Sequence, residues 1–99
     1  MISFIYKPCS DGVSMDVRPN IPLKKRINLK QIDFDIKSNF KSEIVTPQLA
    51  ILYYLDPTPI KVTLYNSGRM LIDNRNEEKV LTIIKDINTI FSNNNIKLE

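Results

Sequence analysis

The stretch Ile60-Lys61-Val62-Thr63-Leu64-Tyr65-Asn66-Ser67-Gly68-Arg69-Met70-Leu71-Ile72-Asp73 decides the fold. Val62 and Leu64 alternate with Lys61, Thr63 and Tyr65. Met70 and Ile72 alternate with Arg69, Leu71 and Asp73. A period of two sends successive side chains to opposite faces, the pattern of half-buried strands. Asn66-Ser67-Gly68 between them reads as a short hairpin loop in which Gly68 supplies a positive φ. The stretch therefore predicts two adjacent antiparallel strands.

Upstream, the apolar run Leu49–Leu55 is bounded by Asp56-Pro57-Thr58-Pro59, a turn or loop, and is a further strand. Glu43-Ile44-Val45-Thr46 is strand-like until Pro47. Downstream, Asn74 or Asn76 caps a helix, with Glu77 and Glu78 in the first turn, where the helix dipole favours anions. Val80, Ile83, Ile84, Ile87, Ile90 and Phe91 recur at helical spacing and form its buried face. Ser92-Asn93-Asn94-Asn95 ends it, leaving Ile96–Glu99 to fray or add a short strand.

Nearer the N-terminus, Asn28 followed by Gln31 three residues on resembles a capping box. Leu29, Ile32, Ile36 and Phe40 fall on one helical face, so a helix is expected to end near Ser38–Lys41. Before it lie the basic loop Lys24-Lys25-Arg26 and the strand breaker Pro19-Asn20-Ile21-Pro22. Ile2–Tyr6 and Val13–Val17 read as a strand pair across the turn Cys9-Ser10-Asp11-Gly12. The expected fold class is α+β: an antiparallel sheet with two helices packed on one face, in a single domain over residues 1–99.

Alternation then assigns the faces. Ile51, Tyr53, Leu55, Val62, Leu64, Met70 and Ile72 are expected against the helices. Ala50, Leu52, Tyr54, Lys61, Thr63, Tyr65, Arg69, Leu71 and Asp73 are expected on the opposite face. Two helices cover one face only. The second face is open unless the N-terminal hairpin or the C-terminal tail folds over it. Aromatic and aliphatic groups ringed by Lys61 and Arg69 would make it a contact surface.

The 99-residue chain is 42% hydrophobic and 25% charged, ordinary for a globular protein. Its net charge of +3 allows an anionic partner without demanding one. Cys9 is the lone cysteine and histidine is absent. That rules out an intrachain disulfide, points to a reducing cytoplasm, and removes the commonest metal ligand and general base. Asp33 and Asp35 lie about 200° apart around a helix, so they cannot converge on one proton or metal and are expected to be solvated. Cys9 has no histidine to activate it. Gly12 and Gly68 are the only glycines, too few for the usual phosphate-cradling loop. No apolar run reaches the roughly 20 residues of a membrane span. No catalytic residue, metal, cofactor, small-molecule substrate or membrane is expected.

Asn66-Ser67-Gly68-Arg69-Met70-Leu71-Ile72-Asp73, followed by Asn76-Glu77-Glu78, resembles the "SSGKMV-TG-KSEE" stretch of the TATA-box-binding protein family. Ile27-Asn28-Leu29-Lys30-Gln31-Ile32 is similar to that family's "LDLKTIA" helix start, and Ile51-Leu52-Tyr53-Tyr54-Leu55 to its "LIYRL" strand. The likeness spans residues 27–91 and corresponds to one of the family's two tandem repeats, with about two extra residues after the first helix. Single-repeat versions also occur attached to nucleases and DNA glycosylases. It implies a curved sheet of order β-α-β-β-β-β-α, here with an extra N-terminal strand, whose open face in the family lies on the DNA minor groove with phenylalanines wedged between base steps. By position, the phenylalanine sites fall at Gln48 and Tyr65, a DNA-facing threonine at Asp73, and the arginine of "LIYRL" at Tyr54. Only Arg69 keeps its counterpart's basic character. These departures argue against bending DNA in the TATA manner.

Two functions follow as expectations. In the first the chain is a non-enzymatic module that binds a protein partner, or itself as a homodimer, through Leu52, Tyr54, Lys61, Thr63, Tyr65, Arg69 and Leu71. A single repeat leaves the sheet edge that its twin would cover, which favours self-association. In the second the chain is a nucleic-acid-binding module linked to transcription, with Lys24, Lys25 and Arg26 on phosphates and Tyr54 and Tyr65 stacking on bases.

Overall fold

The computed structural model describes residues 2–54 and 58–99. Its elements run β1 (Phe4–Pro8), β2 (Met15–Pro19), α1 (Leu29–Ile36), β3 (Phe40–Thr46), β4 (Leu49–Tyr54), β5 (Ile60–Tyr65), β6 (Met70–Ile72) and α2 (Glu77–Asn93). The strands form one sheet in the order β1-β2-β6-β5-β4-β3, with every neighbouring pair antiparallel. The fold is α+β, with the expected strand–helix–four-strand–helix order behind an extra strand. No helix among the described residues is long and apolar enough to cross a membrane.

The β5–β6 hairpin closes as its sequence predicts. Gly68 has φ +90° and donates its N–H to the Tyr65 carbonyl, while the Tyr65 N–H reaches the Arg69 carbonyl. A Cβ on Gly68 would lie 2.9 Å from both Leu23 Cδ1 and Pro19 Cγ, so the glycine also lets the β2–α1 connection pack on the hairpin. The first hairpin is built around Asp11. Its Oδ1 accepts from the Val13 and Ser14 N–H groups and its Oδ2 from the Ser14 hydroxyl, with Gly12 at φ +81°. The strands it joins begin two residues later than the apolar pattern indicates, and Val13 is left exposed in the turn.

Both helices start at asparagine caps. Asn28 Oδ1 accepts from the Gln31 N–H and Asn76 Oδ1 from the Lys79 N–H. Helix α1 is shorter than its periodicity predicts. It stops at Ile36, and i→i−3 bonds from Ser38 and Asn39 turn the chain into β3. Phe40, expected on the last helical turn, opens β3 instead and still enters the core at 3% exposure. Helix α2 ends with Asn95 in the left-handed region, φ 58°. The Ile96 N–H returns to the Phe91 carbonyl and the Asn95 N–H to the Ser92 carbonyl, the paired bonds of a Schellman cap. This cap turns Ile96 and Leu98 back onto the core, where Leu98 bridges to Leu23.

Leu29, Ile32 and Ile36 of α1 and all six expected apolar residues of α2 merge with one face of the sheet into a single buried cluster. Within α2, Asn88 is buried because it clamps the chain start. Its Oδ1 accepts from the Ile2 N–H and its Nδ2 donates to the Ile2 carbonyl.

The sheet's cross-strand register corrects one face assignment. Leu52 pairs with Val62, which pairs with Ile72, and Ala50 pairs with Leu64, which pairs with Met70. Leu52 is therefore on the helix side, at 0% exposure, and Tyr54 packs its ring 5.3 Å from that of Phe40. Ile51 and Tyr53 point to the open face. The strand Leu49–Tyr54 is apolar at both parities, so its own alternation cannot phase it; only pairing with β5 does. Leu55, expected on the helix side, and the Asp56-Pro57 part of the proposed turn lie outside the described residues.

This phase has a direct consequence for stability. Leu52→Ala should lower the unfolding free energy by about 2–5 kcal/mol through the cavity it leaves. Ile51→Ala, one residue along on the open face, should cost about 1 kcal/mol or less. Urea denaturation of the two variants at neutral pH measures the difference.

Candidate functional site

The open face is organised in lateral rows. Lys7, Asp16, Leu71, Thr63, Ile51 and Glu43 stand side by side across all six strands. Beside this row, Ile5 pairs with Arg18 and Tyr65 with Leu49; on the other side Lys61 pairs with Tyr53 and Tyr53 with Lys41. Apolar and aromatic groups thus predominate on β4, β5 and β6, with Lys7, Asp16 and Arg18 toward one end, Glu43 and Lys41 toward the other, and Lys61 beside Tyr53. Ile5 and Tyr53 are exposed, while Ile51, Thr63, Tyr65 and Leu71 are half-buried by their strand neighbours. Neither terminal segment covers this face. The N-terminal hairpin extends the sheet sideways, and Ile96 and Leu98 pack on the helix-side cluster.

Of the residues expected on this face, Lys61, Thr63, Tyr65, Arg69 and Leu71 are there. Ala50, Leu52 and Tyr54 are not, and Ile51 and Tyr53 stand there instead. Tyr54 is thereby withdrawn as a base-stacking surface, since its ring lies against Phe40.

Asp16 is the residue that alternation by itself could not single out. It faces the open side yet is only 6% exposed. Arg18 Nη2 donates to its Oδ2 at 2.8 Å and Arg69 Nε to its Oδ1 at 3.1 Å, so an arginine of β2 and one just before β6 lie over one carboxylate. The Arg18 hydrogen bond, against the opposing effect of burial and with further help from Arg69, holds the Asp16 carboxyl below the usual carboxylate range. Arg69 is held a second time, its guanidinium 5.6 Å from the centroid of the Tyr65 ring. The only sequence signal for this cluster is an acidic residue at a polar strand position; its partner Arg69 stands 53 residues away.

The basic loop forms a second surface. Its backbone is fixed on both sides. The Lys24 N–H donates to the Lys97 carbonyl, the Ile27 N–H to the Asn66 carbonyl, and the Glu99 N–H to the Pro22 carbonyl. Lys24, Lys25 and Arg26 are exposed, and Arg26 Nη1 donates to Asn66 Oδ1 at 3.1 Å. They form a ridge between two grooves. One groove, of about 480 Å³, runs to the end of α2 and Lys97. The other, of about 420 Å³, runs to Arg18 and Arg69 at the rim of the open face.

Asp33, Asp35 and Glu77 serve structural contacts. Asp33 and Asp35 diverge as their spacing requires, but neither is simply solvated. Asp33 accepts from the Ser42 hydroxyl at 2.6 Å and pairs with Lys37, and Asp35 accepts from Nδ2 of Asn94, the C-cap of α2. The Lys37 bond, with that of Ser42, lowers the Asp33 pKa. Glu77 stands in the first turn of α2 and accepts from the Tyr6 hydroxyl at 2.6 Å. Among the described residues no three Cys, Asp or Glu side chains converge as a metal site. Comparison with protein-family models, with curated proteins and with solved structures yields no match.

The Asp16 cluster should give stability a specific pH dependence. Because its folded pKa is lowered, its contribution is complete above the unfolded carboxylate value, about 4, and is lost as pH falls through the folded value. Asp16→Ala should destabilise by about 2 kcal/mol at pH 7. The gap from the unsubstituted chain should narrow as pH drops below about 4. Urea melts at pH 7 and pH 3 measure both effects.

Proposed function

We propose that the chain is a non-enzymatic binding module that takes a protein partner on its open sheet face, with a second copy of itself as the first partner to test. The observation that carries this is the arrangement of that face. Ile51, Leu71, Leu49, Tyr53 and Tyr65 lie in the middle, Lys7, Glu43 and Lys41 stand toward the ends of the rows, and Lys61 stands at the start of β5 beside Tyr53. An apolar, aromatic centre within a charged rim is the anatomy of a protein interface.

Nucleic acid is less well supported on this face. Both of its arginines are already hydrogen-bonded to Asp16, so the pair offers phosphates less charge than its composition indicates. Gln48, at a position where the resembled family places a wedge, is polar. The likeness to a single repeat of the TATA-box-binding protein family is supported by the order of strands and helices. A cytoplasmic setting rests on the lone Cys9.

Association by sheet edges is disfavoured. The edge next to β2 is filled by β1, which itself ends at Pro8. The outer strand β3 carries a register shift between Ile44 and Thr46 and charged Lys41 and Glu43. Bulges, charge and proline all discourage edge pairing. The face is therefore the surface for self-association.

Light scattering across a concentration series should give an apparent mass rising from 11.5 kDa toward twice that value. The double variant Ile51→Ser, Tyr53→Ser should stay monomeric at every concentration. A strictly monomeric unsubstituted chain at millimolar concentration would exclude self-association.

A further inference from the structure

The β2–α1 loop holds a concentration of positive charge that the open-face interface does not use. Lys24, Lys25 and Arg26 project from a loop whose backbone is bonded to the C-terminal tail on one side and to the β5–β6 hairpin on the other. Lys97 joins them from the tail. Among the described residues none of these four is in an ion pair. No carboxylate lines either groove beside the ridge. The grooves carry instead neutral donors, among them Asn28, Gln31, Asn95 and Ser67.

From this geometry we infer a second binding surface, a track for the phosphate backbone of a nucleic acid, with Lys24, Lys25, Arg26 and Lys97 as its charge contacts. Three features select this ligand. The cations are uncompensated and held on a fixed backbone, so little loop ordering opposes binding. Amide and hydroxyl donors interleave with them, as suits phosphate oxygens. In the first groove the apolar lining is Ile27 and Ile32, buried at 5% and 2% exposure, and the half-buried Ile96, and the ridge beside it is rich in lysine, a residue depleted at protein interfaces. The contacts assigned here are to phosphates, which carry no base identity, and binding is accordingly independent of sequence.

The surface meets the open face only at Arg18 and Arg69, and the two can be tested apart. Fluorescence anisotropy of a labelled 20-base-pair duplex, titrated with the full chain from 50 to 200 mM salt, reads the number of phosphates neutralised. Four contacts give a slope of log K against log salt of about −3.6, and a loss of affinity of about a hundredfold over that range. The triple variant Lys24→Ala, Lys25→Ala, Arg26→Ala reduces the slope to about −1. Lys97→Gln, outside the loop, reduces it by about one and checks the site independently of the loop's conformation. The open-face variant Ile51→Ser, Tyr53→Ser leaves the affinity unchanged. The inference is overturned by any of three results: no binding at 50 mM salt, an undiminished slope in the triple variant, or equal displacement of the duplex by polyglutamate at matched charge, which would assign the groove to acidic protein segments.

Discussion

Met15, Ile72, Val62 and Leu52 stand side by side across four strands, none more than 7% exposed. This row fixes the rest of the molecule. Side chains on a strand alternate strictly, so one buried row sets the face of every other sheet residue, and a slip of one position would exchange the core with the open face. The helices follow from it. Val80, Ile83 and Ile87 on α2, and Ile32 and Ile36 on α1, are buried in the same cluster as the row, each at 2% exposure or less.

The same register assembles the open face, with consequences of the opposite kind. It sets Asp16 beside Leu71 and within reach of Arg69, so a carboxylate on an uncovered face is nonetheless shielded from water. The arginines are spent internally, and the face is left with an apolar middle. Arg18 and Arg69 are paired with Asp16, whereas among the described residues none of Lys24, Lys25 and Arg26 on the β2–α1 loop is in an ion pair.

The placement of the basic loop depends on residues 95–99. The Schellman cap at Asn95 redirects the backbone so that Leu98 meets Leu23 and the Lys97 carbonyl meets the Lys24 N–H. Gly68 leaves the space into which Leu23 packs. A basic loop that could otherwise be a solvated connection is thus held between two fixed elements, with a groove on either side.

The sequence by itself determined the class, the order of elements, the cap of the first helix and, to one of two asparagines, that of the second, the β5–β6 hairpin and nearly the whole buried face of each helix. These are local features, written in periods of two and 3.6 and in capping and turn residues a few positions apart. Only the tertiary structure decided the phase of β4, the conversion of Phe40 from helix to strand, the burial of Asp16 and the walls of the basic grooves. Leu49–Tyr54 is apolar at both parities, so its orientation waits on hydrogen bonding to β5. Asp16 and Arg69, like Leu23 and Leu98, are brought together by pairing across the fold, and no local pattern records a contact between residues so far apart in the chain.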